Sequence, residues 1–470
     1  MSETIAEMVI PGTYIEVRAE GLIGVGAIAT GTIGIVGTAA KGPVGSVVSL
    51  GSYAEVVDVF GAADAFGDPV VEDHPLTLTR ALEQTYGAGA RNVLAVRAAN
   101  GTPTPASLDV RAAGNTDGFT LTANEPGTWG RAIRVTVVSD SSSGTQVWRL
   151  TLRYRAVSET FEGANVGAVR AAIAAGSTLV TVGDADNAGS GFDPVDTTLT
   201  GGSDAADVSP ADLADALALL EDEPVNILLV AGAPASTIAP VVLGHLERTE
   251  NEGRERIAIL GATASGTPTA APEILADTEA VSDDRVVLCA PGIRTTDPAT
   301  DATVALPPPY LAAAVAGALS TVAPHISLTN KALPVVPDVR HSSSLAQTLL
   351  LNRVLLVRQK FGAQVVKAIT TSPKPFDQIS VRRTVDYAKA GVRLGCDPYI
   401  GRLNNARVRA ALKATLDGFL SQMVLDEMLI SYDLEVSATR AQEIAGVASV
   451  VMTLRPTFSI DYIRVTMNLE

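Results

Sequence analysis

Near both ends of the chain, apolar and polar side chains alternate. In "PGTYIEVRAEG", Ile15 and Val17 alternate with Tyr14, Glu16 and Arg18, bracketed by Pro11-Gly12 and Gly21. In "FSIDYIRVTMNLE", Ile463, Val465, Met467 and Leu469 alternate with Arg464, Thr466, Asn468 and Glu470. A period of two places one set of side chains on one face of a strand. The pattern therefore predicts an isolated strand within residues 1–24 and another over 463–470. Each offers an open hydrogen-bonding edge, which invites pairing with another chain.

Between these ends the rhythm changes several times. From about residue 30, a buried strand ("GTIGIVGTA") is followed by the helix "SYAEVVDVFG" with Ser52 as N-cap. A second helix, "HPLTLTRALEQTYGAGA", has Pro75 near its start and Gly87 near its end, and strand "NVLAVRA" follows. Residues 101–200 are rich in Gly, Ser, Thr and Asp. They hold β-type runs such as "AIRVTVVSD" and "QVWRLTLRYRA", with a short helix at "VGAVRAAIAAG". After residue 200, helices alternate with the strands "VNILLVAGA", "RIAILGA" and "RVVLCAPG". Such alternation implies βαβ units and a mainly parallel sheet.

The last part reads differently again. "SSLAQTLLLNRVLLVRQKFG" reads as one helix, and "FDQISVRRTVDYAKAGVRL" as another with Val381, Val385, Ala388 and Val392 on one face. In "NNARVRAALKATLDGFLSQMVLDEML", Val408, Leu412, Leu416, Phe419 and Met423 recur at helical spacing. Strands follow near "ISYDLEVSA" and "VASVVMTLRPTF". The fold class expected is α/β and α+β multidomain. A discontinuous α/β domain spans 25–100 and 201–345, a β-rich domain is inserted at 101–200, and an α+β domain covers 346–470. Residues 1–24 form an arm.

Composition narrows the function classes. The 470 residues are 47% hydrophobic and 18% charged, which favours packed domains over disorder. Aromatics make up only 4% and the net charge is −16, both unfavourable for stacking on or neutralising nucleic acid. Cys289 and Cys396 form no CxxC pair or disulfide framework, which fits a reducing compartment. The first residues lack a basic segment followed by an apolar core, so no signal peptide is expected. The richest apolar run, "YLAAAVAGALSTVA", suits a buried helix rather than a membrane span. A soluble protein assembled in the cytoplasm, without membrane insertion, is the expectation.

Candidate chemistry is sparse. "GVGAIA" (Gly24, Gly26, Ala29) is a loose dinucleotide fingerprint, but a β-type stretch follows it where a helix is required. "GTAAKG" (37–42) has the wrong spacing for a phosphate loop, and reads as a strand-to-helix turn. His74, His245, His325 and His341 stand at no ligand spacing, so structural roles are expected and no metal or cofactor. Ser236 lies outside any G-x-S-x-G elbow. Asp204, Asp207, Asp212 and Asp215 cluster near a helix start, where the helix dipole accounts for them. A nucleotide- or dinucleotide-binding α/β enzyme is the alternative reading, resting on the glycines and the parallel sheet.

One charge pattern stands out. Residues 353–415 hold thirteen Lys and Arg against Asp377, Asp386 and Asp397, a net +10 in a chain whose remainder totals −26. Three readings are open: pairing within the chain to the acidic α/β part, an acidic partner or neighbouring copy, and DNA. No docking motif favours the last.

Several blocks together resemble the contractile tail sheath family of phages, tailocins and contractile injection systems. "PGTYIEV" is similar to that family's N-terminal arm. "IGIVGTAAKGPVGSVVSLGSYAEVVDVFG" and "LTRALEQTYGAGARNVLAVRA" resemble its first conserved blocks, and "ANEPGTWGRAIRVTV" the opening of its variable insertion. "ISVRRTVDYAKAGVRL", "LNNARVRAALKATLDGFL" and "LRPTFSIDYIRVTMNLE" resemble its C-terminal domain. The blocks occur in the family's order. The resemblance implies a structural subunit, not an enzyme, that polymerises around an inner tube and contracts to drive it through a cell envelope. Baseplate and terminator proteins would be further partners, with no direct nucleic-acid contact. It also implies that terminal strands of neighbouring subunits complete the C-terminal domain, through Tyr14, Ile15 and Val17 at one end and Ile463, Val465, Met467 and Leu469 at the other. Arg402, Arg407, Arg409 and Lys413 are expected to face the tube.

Overall fold

The computed structural model describes residues 28–63, 76–113, 116–140, 146–183, 191–267, 270–297, 301–373 and 375–469. The arm residues Tyr14, Ile15 and Val17 lie outside these ranges, as do Gly24, Gly26 and His74.

A nine-stranded sheet forms the centre. Six strands run parallel in the spatial order Val354–Gln359, Val286–Ala290, Ile257–Gly261, Ile227–Val230, Ile33–Gly37, Val93–Arg97. Antiparallel strands finish both sides: Val47–Leu50 at one, Ala363–Val365 and Ala332–Leu333 at the other. The parallel strands are apolar on both faces because both faces are covered. Ile227 and Leu229 point into one core with Tyr310 and Leu311, while Leu228 and Val230 point into the other with Ile238 and Leu246. The Pro308–Ser320 helix is buried on nearly every side, as its Ala-rich run predicts. Among the described residues, no helix is long and apolar enough to cross a membrane.

Close approach of that helix to the sheet depends on Gly261. A Cβ there would lie 2.0 Å from the Pro309 nitrogen. The obstacle is backbone, which cannot swing aside, so Gly261→Ala should destabilise the protein by about 1–3 kcal/mol. A lowered thermal midpoint would register this, and an unchanged one would show that the helix start shifts freely.

Two sequence expectations are corrected here. The helix expected to run through "RVLLVRQKFG" stops at Leu351, and Val354–Gln359 is a strand of the central sheet. Asn352 caps the helix, Arg353 takes a left-handed φ of 68°, and Val354 to Val357 are all buried in pairing range of Val286–Ala290. Burial on both faces outweighs helical propensity, and the sheet reaches Val365, beyond the expected limit at 345. The turn at Gly37–Gly42 leads into the Val47–Leu50 strand, not a helix.

Between Arg97 and Asp204 the chain builds two four-stranded sheets and the Val166–Gly176 helix around a separate core containing Phe119, Trp129, Trp148 and Phe192. Its way in and out is pinned by the buried Arg97 guanidinium. It donates to the Gly42 carbonyl at 2.8 Å and lies 3.6 Å from Asp204, whose carboxylate also accepts from the Thr128 amide.

Helices Ile379–Cys396 and Ala406–Leu425 pack together through Tyr387 and Phe419, whose ring centroids are 5.8 Å apart. The hairpin of strands Leu429–Ser437 and Ser449–Pro456 lays Leu434, Val436 and Val450 against Leu416 and its neighbours.

Candidate assembly surface

The hairpin of Leu429–Ser437 and Ser449–Pro456 is a sheet of two strands. Its inner face packs on the Ala406–Leu425 helix, and both outer edges lack a neighbouring strand among the described residues. Ile430 and Val451 are exposed on it. An unpaired edge is a template for strand addition.

The chain leaves this hairpin and is clamped before it reaches the surface. Gln378, immediately preceding the Ile379–Cys396 helix, accepts from the Ser459 amide and donates to its carbonyl. Gln378 also donates to the Asp461 carboxylate at 3.1 Å, and Thr329 donates to it at 3.4 Å. Lys367 stands 3.8 Å from Asp461 and lies over the Tyr462 ring. Beyond this clamp no hydrogen bond or ion pair ties the tail to the described residues. Ile463, Val465, Met467 and Leu469 are 82%, 71%, 84% and 99% exposed. The alternating pattern is present, yet residues 463–469 form no strand within the subunit. A ladder needs a second strand, and no described segment of the chain supplies one.

The basic segment divides into paired and unpaired cations. Arg382 binds Asp284 and Asp386, Lys389 binds Glu250 and Glu255, and Arg393 binds Glu255. Arg285 joins Glu250 to Asp386 at 2.6 and 2.8 Å. Burial alone would lower the Arg285 pKa, but its hydrogen bonds to Glu250 and Asp386 outweigh this and raise it. The Arg285 hydrogen bond, with that of Lys389, holds Glu250 at about 2. For this helix, pairing within the chain is the outcome.

Of the four expected tube-facing cations, Arg409 is committed elsewhere. Its guanidinium donates to Glu443 at 3.0 Å and to Asn404 at 2.7 Å. Arg402, Arg407 and Lys413 are exposed, without an ion pair among the described residues. Arg402 stacks over Tyr399 and donates to the Pro398 carbonyl.

Comparison with known proteins places this surface. The phage tail sheath C-terminal domain family matches residues 371–470. A tail sheath protein of Mycobacterium phage Bxz1 is 25% identical over 280 residues, 56% of this chain and 46% of that protein. The match thus spans about half the length of that curated relative. The solved sheath tail protein of Desulfitobacterium hafniense superposes with a TM-score of 0.68 at 17% identity, covering 95% of this chain and 100% of the other. The contracted helical sheath of the anti-feeding prophage gives 0.59 at 13%, covering 99% and 100%. At those identities the structural likeness establishes the fold: a mixed α/β multidomain architecture shared with sheath proteins. The clamp, the hairpin and the exposed tail all lie wholly or largely in the segment matched as a sheath C-terminal domain.

Other sequence candidates resolve into packing. His245 is buried, and burial with the nearby Arg256 and Arg248 pushes it down to about 3. Its neutral Nε2 faces an Arg256 N–H at 3.0 Å. Asp212 completes a capping box with Ser209. Ser236 meets Thr263, which donates to Asp277. No cluster of His, Cys, Asp and Glu suited to a metal occurs among the described residues. What sequence reading of this segment missed is the clamp. Asp461 is a carboxylate placed between apolar residues of the tail, and that break in pattern was the available signal.

Proposed function

We propose that this chain is a tail sheath subunit. Copies polymerise around an inner tube in a metastable extended lattice, and the lattice shortens and widens to drive the tube through a target envelope. The energy is stored in subunit contacts, so no nucleotide is consumed. Assembly takes place in the cytoplasm of the producing bacterium, with baseplate and terminator proteins bounding the sheath. The observation that carries this reading is the tail: four apolar side chains, alternating with polar ones, exposed beyond a clamp and without a pairing strand among the described residues. The tail of one copy adds to an open hairpin edge of another, and residues 14–17 of a further copy are the counterpart at the same sheet.

Negative-stain microscopy of the purified chain tests the reading. Hollow cylinders are expected at raised concentration, and a protein that stays monomeric at all concentrations would overturn it. Within the same reading, Arg402, Arg407 and Lys413 face an acidic tube. The triple variant R402E/R407E/K413E should weaken co-sedimentation with the tube roughly tenfold or more, while leaving the thermal midpoint unchanged. Undiminished co-sedimentation would remove these residues from the tube contact. Arg409→Glu should instead lower the midpoint, because it breaks the Glu443 pair.

A further inference from the structure

Phe361 occupies an unusual place. It sits at the tip of the hairpin formed by Val354–Gln359 and Ala363–Val365, 97% exposed and with a left-handed φ of 51°. A bulky side chain in that region carries a conformational penalty, and Gly362 beside it would suit the turn better. Both its exposure and its backbone are therefore unfavourable in the isolated subunit. Arg358 and Lys360 flank it, and with Arg294 and Arg340 they line one open groove of about 680 Å³. None of these four cations has a carboxylate partner at ion-pair distance among the described residues. The groove's own acid, Asp338, accepts from Ser265.

The opposite end of the sheet carries a complementary feature. The tip follows the C-terminal end of its parallel strand. At the N-terminal strand ends lies a cavity of about 400 Å³, floored by Val225, Pro324, Tyr387, Ala390 and Leu394. Asp222 and Glu223 stand at its mouth. The cations nearby are committed: Arg254 pairs with Asp222 and Glu252, and the buried Arg383 donates to the Thr30 and Val322 carbonyls.

We infer that Phe361 of one copy seats in this cavity of the next, with Arg358 and Lys360 meeting Glu223, the rim acid that Arg254 leaves free. Aromatic knob meets apolar floor, and cationic collar meets acidic rim. Knob and socket lie at opposite ends of one set of strands, so no copy satisfies its own. Such a head-to-tail contact propagates and generates an open helix, unlike a two-fold contact that closes. The inference rests on the self-assembly reading and names a second contact for it, separate from the tail.

Two substitutions and a cross-link test it. Phe361→Gly removes the knob and suits the left-handed turn. The monomer should be as stable as wild type or more so, while the concentration needed for assembly rises about tenfold or more. Phe361→Asp should raise it further. In a Cys396→Ser background, a Phe361→Cys/Ala390→Cys protein should give a ladder of disulfide-linked dimers, trimers and higher species on oxidation of assembled material. Neither single-cysteine variant should give the ladder. Wild-type cylinders combined with unaltered assembly of F361G and no ladder would overturn the knob contact and leave self-assembly standing. A wild-type chain that never assembles would overturn both.

Discussion

Deletion of residues 463–470 should leave a folded monomer that no longer assembles. The removed side chains bury little against the described residues of their own subunit: Ile463, Val465, Met467 and Leu469 are all largely exposed, and the last polar contacts of the tail with the described body are at Asp461 and Tyr462. The thermal midpoint should therefore stay within the range expected of surface changes, about ±0.5 kcal/mol in stability. Assembly should be lost because one tail is barely sufficient even when intact. Burying four such side chains gains roughly 6–12 kcal/mol. Ordering about eight residues costs about 8–16 kcal/mol of backbone entropy. A single link is close to balance, and a lattice holds because each link raises the effective concentration for the next. Circular dichroism with negative-stain microscopy separates the two effects. Cylinders formed by the truncated chain would rule out the tail as connector, and a collapsed midpoint would show that the tail packs on its own body.

Arg285→Ala should be the most damaging single substitution in the body of the subunit. The Arg285 side chain is 3% exposed and holds two carboxylates, Glu250 and Asp386, from two different helices. Removing it leaves Asp386 facing Arg382 alone and Glu250 dependent on Lys389. Breaking a buried pair by removing one partner costs about 3–5 kcal/mol. Arg248→Ala is the control. Its pair with Glu221 is half-exposed, and its loss should cost no more than about 1 kcal/mol. Urea unfolding measures both, and equal effects would refute the argument. Acid dependence gives a second readout. Glu250 is depressed from 4.5 to about 2 in the folded state. Its contribution is present in full above 4.5 and is lost as pH falls toward 2. Arg285→Ala relaxes that depression, so the variant should lose less stability than wild type over the same interval.

The helices of the C-terminal part were readable because their signal is local. Leu412, Leu416 and Met423 are buried where helical spacing put them. Ser52 caps the helix it precedes, as read from the sequence. Val354 to Val357 were misread because a short apolar run serves a buried helix and a buried strand equally well. Only the pairing with Val286–Ala290, more than sixty residues away in sequence, decides between them. Arg409 looked like a free surface cation for the same reason, since nothing local announces Glu443. The tail is a different case. Its alternation was legible, but hydrogen bonding takes two strands, and no second strand is present beside it among the described residues. Phe361 passed unnoticed because its oddity is a backbone angle, to which composition and periodicity are blind.

The clamp at Asp461 also has a mechanical meaning. Any pull on residues 463–469 is delivered to the body at Gln378 and Thr329. Gln378 stands at the end of the Ile379–Cys396 helix, so tension enters along a helix axis. One and two turns further on, Arg382 and Asp386 tie that helix to Asp284 and Arg285, and so to the central sheet. A tug on the tail is thus borne by hydrogen-bonded and ionic cross-ties instead of peeling the hairpin from its helix. In an assembly joined through its tails, the load would enter each subunit at this fixture and pass into the central sheet.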